Sequence, residues 1–286
     1  MATTERAATA PREISRPKPS SRGPARRSAW ILPAWTGLVI AYLFIPIAIM
    51  ILFGFNDYSG RFNYTWQGFT LRWYRDLFAF PELTLALRNS LTIATVSSLV
   101  ATVLGTLIAL ALTRFRFRGR SALNLFIFIP MATPEIVMGV SLLALFVSIN
   151  LSRGMLTIII AHIMFLISFV VVTVKARTSG LDRNLEDAAQ DLGADPWTTF
   201  WTVTFPLILP GIAAGGVLAF VLSFDDYVVT TFNAGATTTL TLWIYGASRI
   251  GIPAQVNVMG TLIFSIGVLY AIVSLLRGRG AETRFR

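Results

Sequence analysis

Six stretches of the sequence stay apolar for about the 20 residues that a helix needs to cross a hydrocarbon core: 31–55, 90–112, 122–149, 155–176, 207–230 and 257–276. That repetition points to one fold class, an all-α polytopic membrane protein with six transmembrane helices. Composition agrees, since 55% of the 286 residues are hydrophobic, only 13% are charged and the mean hydropathy is +0.67, well away from an ordinary soluble domain. No charged segment leads straight into a short apolar core with a small-residue cleavage site, so the first span is expected to act as its own signal and to stay. The lack of cysteine excludes disulfides, thiolate-bound zinc and a thiol nucleophile.

The net charge of +10 has to be located before it can be interpreted. Alternating sides from a cytoplasmic N-terminus puts the N-terminal tail, 113–121, 177–206 and the C-terminal end inside. Only Arg61, Arg72, Arg75, Arg88, Arg153 and Arg249 then fall outside, and the rest of the 24 Lys and Arg lie inside or, for Lys175, at an inner span end. The bias toward the inside supports this orientation, with both termini cytoplasmic, and accounts for much of the basicity. Residues 1–29 carry Arg6, Arg12, Arg16, Lys18, Arg22, Arg26 and Arg27 among Pro, Ser and Ala, a composition that buries too little surface to offset the entropy of ordering. They are expected to form a disordered cytoplasmic tail beside anionic membrane lipid, which is favoured over a nucleic-acid-binding arm. Residues 30–286 form the transmembrane domain.

The apolar habit breaks most sharply at residues 185–212, LEDAAQDLGADPWTTFWTVTFPLILPGI, within a polar loop over about 177–206. Leu185, Ala188, Ala189 and Leu192 recur at the spacing of one helical face, while Glu186, Asp187, Gln190 and Asp191 take the other. Gly193 sits where a left-handed residue would end that helix, and Asp195 followed by Pro196 reads as the N-cap and first turn of the next. Trp197, Phe200 and Trp201 give the second helix an aromatic face ahead of Pro206 and Pro210. Two short helices set at an angle by one glycine make a compact knob; an ordinary interfacial helix would also explain the first of them.

The longer pattern is more specific. Asp187-Ala188-Ala189, three residues, Gly193, nine residues and then Val203-Thr204-Phe205-Pro206 resembles the EAA loop of the membrane-spanning subunits of binding-protein-dependent ABC importers. The usual glutamate is Asp187 here, with Glu186 before it, and the usual Ile-x-Leu is Val-x-Phe. The first outside loop, with LRWYRDLFAFPELTLALRNS, resembles the WY-x-x-LF and A-x-x-NSL signature of the same permeases. LSFDD, with the downstream LTLWIYGASRIGIPAQVN, is similar to their spermidine/putrescine subgroup. The resemblance implies a type I ABC-importer permease in a bacterial inner membrane. Its implied partners are a second homologous permease subunit, two ATP-binding subunits and an extracytoplasmic substrate-binding protein. It also implies that Glu186, Asp187, Ala188, Ala189, Gly193, Ala194 and Pro206 couple the chain to the ATPase.

Carboxylates within apolar spans are costly and face a cavity or a partner. Glu135 follows Pro134 on the third span, about 20 Å along a straight rise from its inner end and so near mid-depth; Pro130 and Pro134 each free a backbone carbonyl nearby. Asp225 and Asp226 fall near the outer end of the fifth span, about 27 Å from Leu207 by the same rise. Carboxylates with aromatic neighbours suit a polyamine, whose separated ammonium groups pair with the acids while the rings cover its methylenes. The alternative is that Asp225 and Asp226 cap or pair locally at the span end, one of them with a neighbouring subunit. His162, the sole histidine, is better suited to a packing hydrogen bond than to a proton relay, and with no second histidine or cysteine a metal site has little to build on.

Ser97, Ala101, Gly105 and Ala109 on the second span, and Gly211, Gly215 and Ala219 on the fifth, recur every four residues and are expected to let helices approach closely. No G-x-x-x-x-G-K-[ST] loop occurs, so no ATP or other cofactor is expected to bind here and the energy comes from a partner. The leading reading is a permease subunit, not an enzyme, of an ATP-driven importer for polyamines. Opines, phosphonates, sugars or iron are alternative cargoes, and a stand-alone carrier driven by protons or sodium is the competing class. That class favours inverted repeats and several buried ionisable groups, and neither is evident.

Overall fold

The structure, a computed structural model, describes residues 30–60, 62–182 and 184–282. The tail expected over 1–29 lies outside them, as do Arg61, Arg183 and the last four residues. Contacts divide the chain into residues 1–49 and 50–286. Helix α1 (Ile31–Phe53) starts in the first unit; it is apolar around its whole circumference and carries Pro46 internally, as suits a span set in lipid or against other helices.

The second unit begins at Met50 with the last residues of α1 and continues through a looped segment joined by an isolated bridge between Asn56 and Phe69, then the single turn α2 (Arg72–Arg75) and a 3₁₀ turn at Leu77–Ala79. Ten helices follow: α3 (Pro81–Arg114), α4 (Arg120–Ala132), α5 (Glu135–Ser148), α6 (Met155–Ser179), α7 (Asn184–Asp191), α8 (Pro196–Thr199), α9 (Phe205–Asp225), α10 (Val228–Asn233), α11 (Leu240–Ile250) and α12 (Ala254–Glu282). A π-helical turn, Phe200–Thr204, joins α8 to α9. Among the described residues, five helices are long and apolar enough to span a membrane, and α4 with α5 makes a sixth if that bent pair counts as one span.

The centre of this unit is the trio α3, α6 and α9. Their shared core holds Ala101, Ala109, Leu112, Leu166, Val170, Val174 and Ala219, all fully buried. The small-residue stripes on α3 and α9 both turn toward α6. A Cβ on Gly105 would lie 2.7 Å from Cβ and Cγ1 of Val170, and one on Gly215 would lie 3.5 Å from Val170 Cγ1. Without water to drive association, such close backbone approach is what holds helices together in lipid. Gly105→Ala is therefore expected to destabilise the chain by about 1–3 kcal/mol, the usual cost of overpacking. Thermal unfolding of the detergent-solubilised protein checks this, and Val170→Ala introduced alongside should leave most of the loss in place, because the Cβ at position 170 itself lies 2.7 Å from the new methyl.

Three expected spans differ from the observed ones. The second starts earlier, at Pro81, because a proline at the first turn followed by Glu82 opens a helix that nothing then interrupts. The third, expected as one run over 122–149, is broken between α4 and α5 with a bend of 105°. Pro134 excludes the helical basin at Thr133, which is extended at φ −80°, ψ 131°. Glu135 consequently stands at the first turn of α5, and the depth read from a straight rise does not apply to it.

The fifth span runs from Pro196 to Asp225 as one 30-residue unit instead of 207–230. The second helix of the knob is thus the start of this span and not a separate piece. The register slips where Pro206 has no amide to offer Thr202, so Phe205 N donates to the Phe200 carbonyl five residues back. At the other end Asp226 is extended and begins α10.

Candidate functional site

Two sites are built by these elements, a knob at one end of the fifth span and a cavity at the other. In the knob, α7 ends in a Schellman turn. Gly193 has φ +92°, its amide donates to the Gln190 carbonyl at 2.9 Å, and Ala194 N donates to the Ala189 carbonyl at 3.1 Å. Asp195 then caps α8, with Oδ1 accepting from Thr198 N at 3.3 Å and Pro196 at the first helical position. The bond with Thr198 holds the exposed Asp195 carboxyl below the usual carboxylate range. Both punctuation signals read from the sequence are present.

The faces of α7 are distributed otherwise than amphipathic spacing alone suggests. Leu185, Ala188 and Leu192 are exposed, Leu192 at 90%. Glu186 instead turns inward, where one carboxylate oxygen pairs with the Arg114 guanidinium at the end of α3 and the other accepts from the Thr204 hydroxyl. Glu186 therefore fastens the knob to α3 and the π-helical turn, and is not free on the outer face beside Asp187. Trp197 and Trp201 stack edge-to-face at 5.7 Å and remain 69% and 46% exposed. An apolar groove of about 1010 Å³ opens beside them, bounded by Leu107 and Leu110 of α3 and by Phe115 just past its end. Arg114 and Thr204 were not singled out from the sequence; an Arg closing one span and a Thr in the Val-x-Phe pattern carry no pairing signal until the helices are placed together.

The second site is a cavity of about 470 Å³ at the break between α4 and α5. Glu135 from the first turn of α5 and Asp225 from the last turn of α9 both line it, with Phe165, Phe169 and Tyr227 as aromatic walls. The lining includes three carboxylates and no basic residue. Glu135 and Asp225 make no hydrogen bond or ion pair among the described residues.

Asp226 differs from its neighbour. Its Oδ2 accepts from Thr230 N and Thr230 Oγ1, both at 2.7 Å, and lies 3.3 Å from His162 Nε2, while Oδ1 faces Val229 N at 3.4 Å. The acidic pair of the sequence thus divides into an exposed Asp225 and a half-buried Asp226, its side chain only 7% exposed, that caps α10. His162 is 1% exposed and also meets Ser223 Oγ at 2.7 Å and Thr230 Oγ1 at 3.1 Å, so its ring joins α6 to α9 and α10 through the packing hydrogen bonds expected of it.

This geometry can be compared with known proteins. Residues 101–279 match the family described as binding-protein-dependent transport system inner membrane component. The chain belongs to this family. The spermidine/putrescine transport system permease protein PotC of Escherichia coli (strain K12) is 41% identical to this permease over 242 residues, covering 84% of this chain and 91% of that one. The putrescine transport system permease protein PotI of the same strain is 36% identical over 272 residues, covering 92% and 96%. Among solved structures, a chain of a bacterial ABC transporter that imports the acidic polysaccharide alginate superposes with a TM-score of 0.65. It is 16% identical, with 87% of this chain and 96% of that chain covered. A chain of the MetNI methionine ABC transporter gives 0.56 at 19% identity, covering 68% and 94%. The fold is therefore that of ABC-importer permeases, as the EAA-like pattern implied, and the family is one of transport components and not of enzymes. These comparisons lend no support to a stand-alone carrier.

Proposed function

We propose that this permease forms half of the translocation pathway of an ATP-driven importer for polyamines such as spermidine and putrescine. A second homologous permease supplies the other half, two ATP-binding subunits dock beneath, and a soluble binding protein delivers substrate. The observation that carries the substrate class is the cavity at the α4–α5 break. Glu135 and Asp225 offer two carboxylates unengaged among the described residues, and Phe165, Phe169 and Tyr227 offer ring faces. That pairing of charge and π-surface complements a flexible polycation, whose ammonium groups take the acids while its methylenes lie against the rings. The names of the relatives PotC and PotI support the same class.

The knob is read as the EAA loop. Leu185, Leu192, Trp197 and Trp201 leave apolar surface exposed on it, which suits a helix seated in a groove of an ATPase subunit; Asp187 lies exposed on the same element to orient the contact. Closing of the ATPase pair would push this knob, tilt the fifth span and change which side the cavity faces. That reading places the knob and both termini in the cytoplasm, in accord with the distribution of Lys and Arg.

Uptake of radiolabelled spermidine and putrescine, with and without a chromosomal deletion of this chain, is the deciding measurement. Loss of uptake on deletion and its return on complementation is expected. Unchanged uptake of both amines in a strain with no second polyamine importer would remove the substrate assignment and leave the family untouched.

A further inference from the structure

Three cationic side chains meet where three spans end. Arg114 closes α3, Arg120 opens α4 and Lys175 lies in the last two turns of α6; with Thr178 and Ser179 they line a cavity of about 230 Å³. Their charge is only partly answered from within the chain. Arg114 pairs with Glu186, and Lys175 Nζ donates to Asn124 Oδ1 at 2.6 Å, whereas the Arg120 guanidinium has no bond or ion pair among the described residues. The amino end of α4 reinforces the field. Gly119, at φ +91°, has no side chain to cap this 13-residue helix, so the positive end of its dipole stays open.

A second cavity, of about 240 Å³, adjoins the first and shares Lys175 and Ser179 with it. Its other walls are Ile127 and Phe128 of α4 and Val171 and Val172 of α6, one to two turns deeper along both helices. A charged pocket at the level where spans end, continued inward by an apolar slot, matches a molecule with an anionic head and a hydrocarbon tail. Basic pockets between helices at that level hold acidic lipid head groups elsewhere.

We propose that the paired cavities bind one anionic phospholipid, with its phosphate among Arg114, Arg120 and Lys175 and an acyl chain in the slot between α4 and α6. A zwitterionic lipid is disfavoured because its own ammonium would have to share the space with Arg120. Since Arg114 also holds Glu186, the phosphate competes for the same guanidinium that fastens α7 to α3. Lipid occupancy thereby bears on how firmly the knob is held.

The test uses the full-length chain, purified in an uncharged detergent with whatever subunits accompany it. Phosphatidylglycerol, phosphatidylcholine of the same chain length and inorganic phosphate are titrated separately, with retained lipid read by native mass spectrometry and protection by thermal unfolding. Phosphatidylglycerol is expected to bind at least about fivefold more tightly than phosphatidylcholine, and Arg120→Gln to remove about that factor, the weight of one basic residue near an anionic head group. Arg120→Lys should retain the preference. Ala176→Trp, which fills the slot from an exposed position without touching a charge, should weaken phosphatidylglycerol while leaving the response to inorganic phosphate unchanged. Equal retention of the two lipids overturns the proposal, and so does a preference untouched by both Arg120→Gln and Ala176→Trp. Protection by inorganic phosphate that equals that of the lipid also overturns it, in favour of a small-anion site.

Discussion

Gly193→Pro is expected to abolish ATP-driven uptake while the chain still inserts into the membrane. The Gly193 backbone lies at φ +92°, a region closed to proline, whose ring fixes φ near −65°. The substitution also removes the amide that donates to the Gln190 carbonyl at 2.9 Å. Nothing lies within 4 Å of a Cβ built at this position, so the effect is one of backbone direction and not of crowding. Alanine makes the comparison, since it keeps the amide and meets only the left-handed penalty of about 1–2 kcal/mol. A graded loss from Gly to Ala to Pro, at equal membrane levels, is the expected pattern in a whole-cell uptake assay. Wild-type uptake by the proline variant would show that α7 and α8 need no fixed angle to receive work from a partner.

The second large effect separates two adjacent aspartates. Asp225→Asn, alone or with Glu135→Gln, is expected to reduce uptake of a diamine by tenfold or more, because on the proposed reading each change removes a charge-assisted contact worth about 1.5–3 kcal/mol. Both side chains are exposed and make no bond among the described residues, so thermal stability should stay unchanged. Asp226→Asn should behave in the opposite way. Its carboxylate caps α10 through Thr230 N and contacts His162 at 3.3 Å, and its loss should lower stability and impair transport whatever the cargo. Measuring labelled putrescine uptake beside the melting temperature of each variant resolves the two roles. If Asp225→Asn destabilised the chain as much as Asp226→Asn, the first aspartate would be structural as well.

The local grammar of the sequence carried far into this fold. Gly193, Asp195 and Pro196 mark helix ends by conformations that few other residues satisfy, and each stands where those rules put it. The small-residue stripes through Gly105 and Gly215 also predicted close helix contacts, and the partner of both proved to be α6. Bends and long-range pairs were less legible. Pro134 signals a disturbed helix, but whether the chain kinks mildly or turns through 105° depends on what α5 and α10 bury against each other. The inward turn of Glu186 depends on Arg114, 72 residues away. Charge at the right spacing on α7 says that a polar face exists, and only the placement of α3 decides which carboxylate that face surrenders to the interior.

If the knob is pushed as proposed, the single 30-residue span from Pro196 to Asp225 sets the mechanical gearing of the molecule. Thirty residues at the helical rise make a strut about 45 Å long, with Trp197 at its foot and Asp225 at its head. Each degree by which the foot is levered displaces the head by about 0.8 Å on that length. If Asp225 meets an amine as proposed above, a swing of a few degrees suffices to draw that acid out of its reach, and a small stroke at one end becomes release at the other.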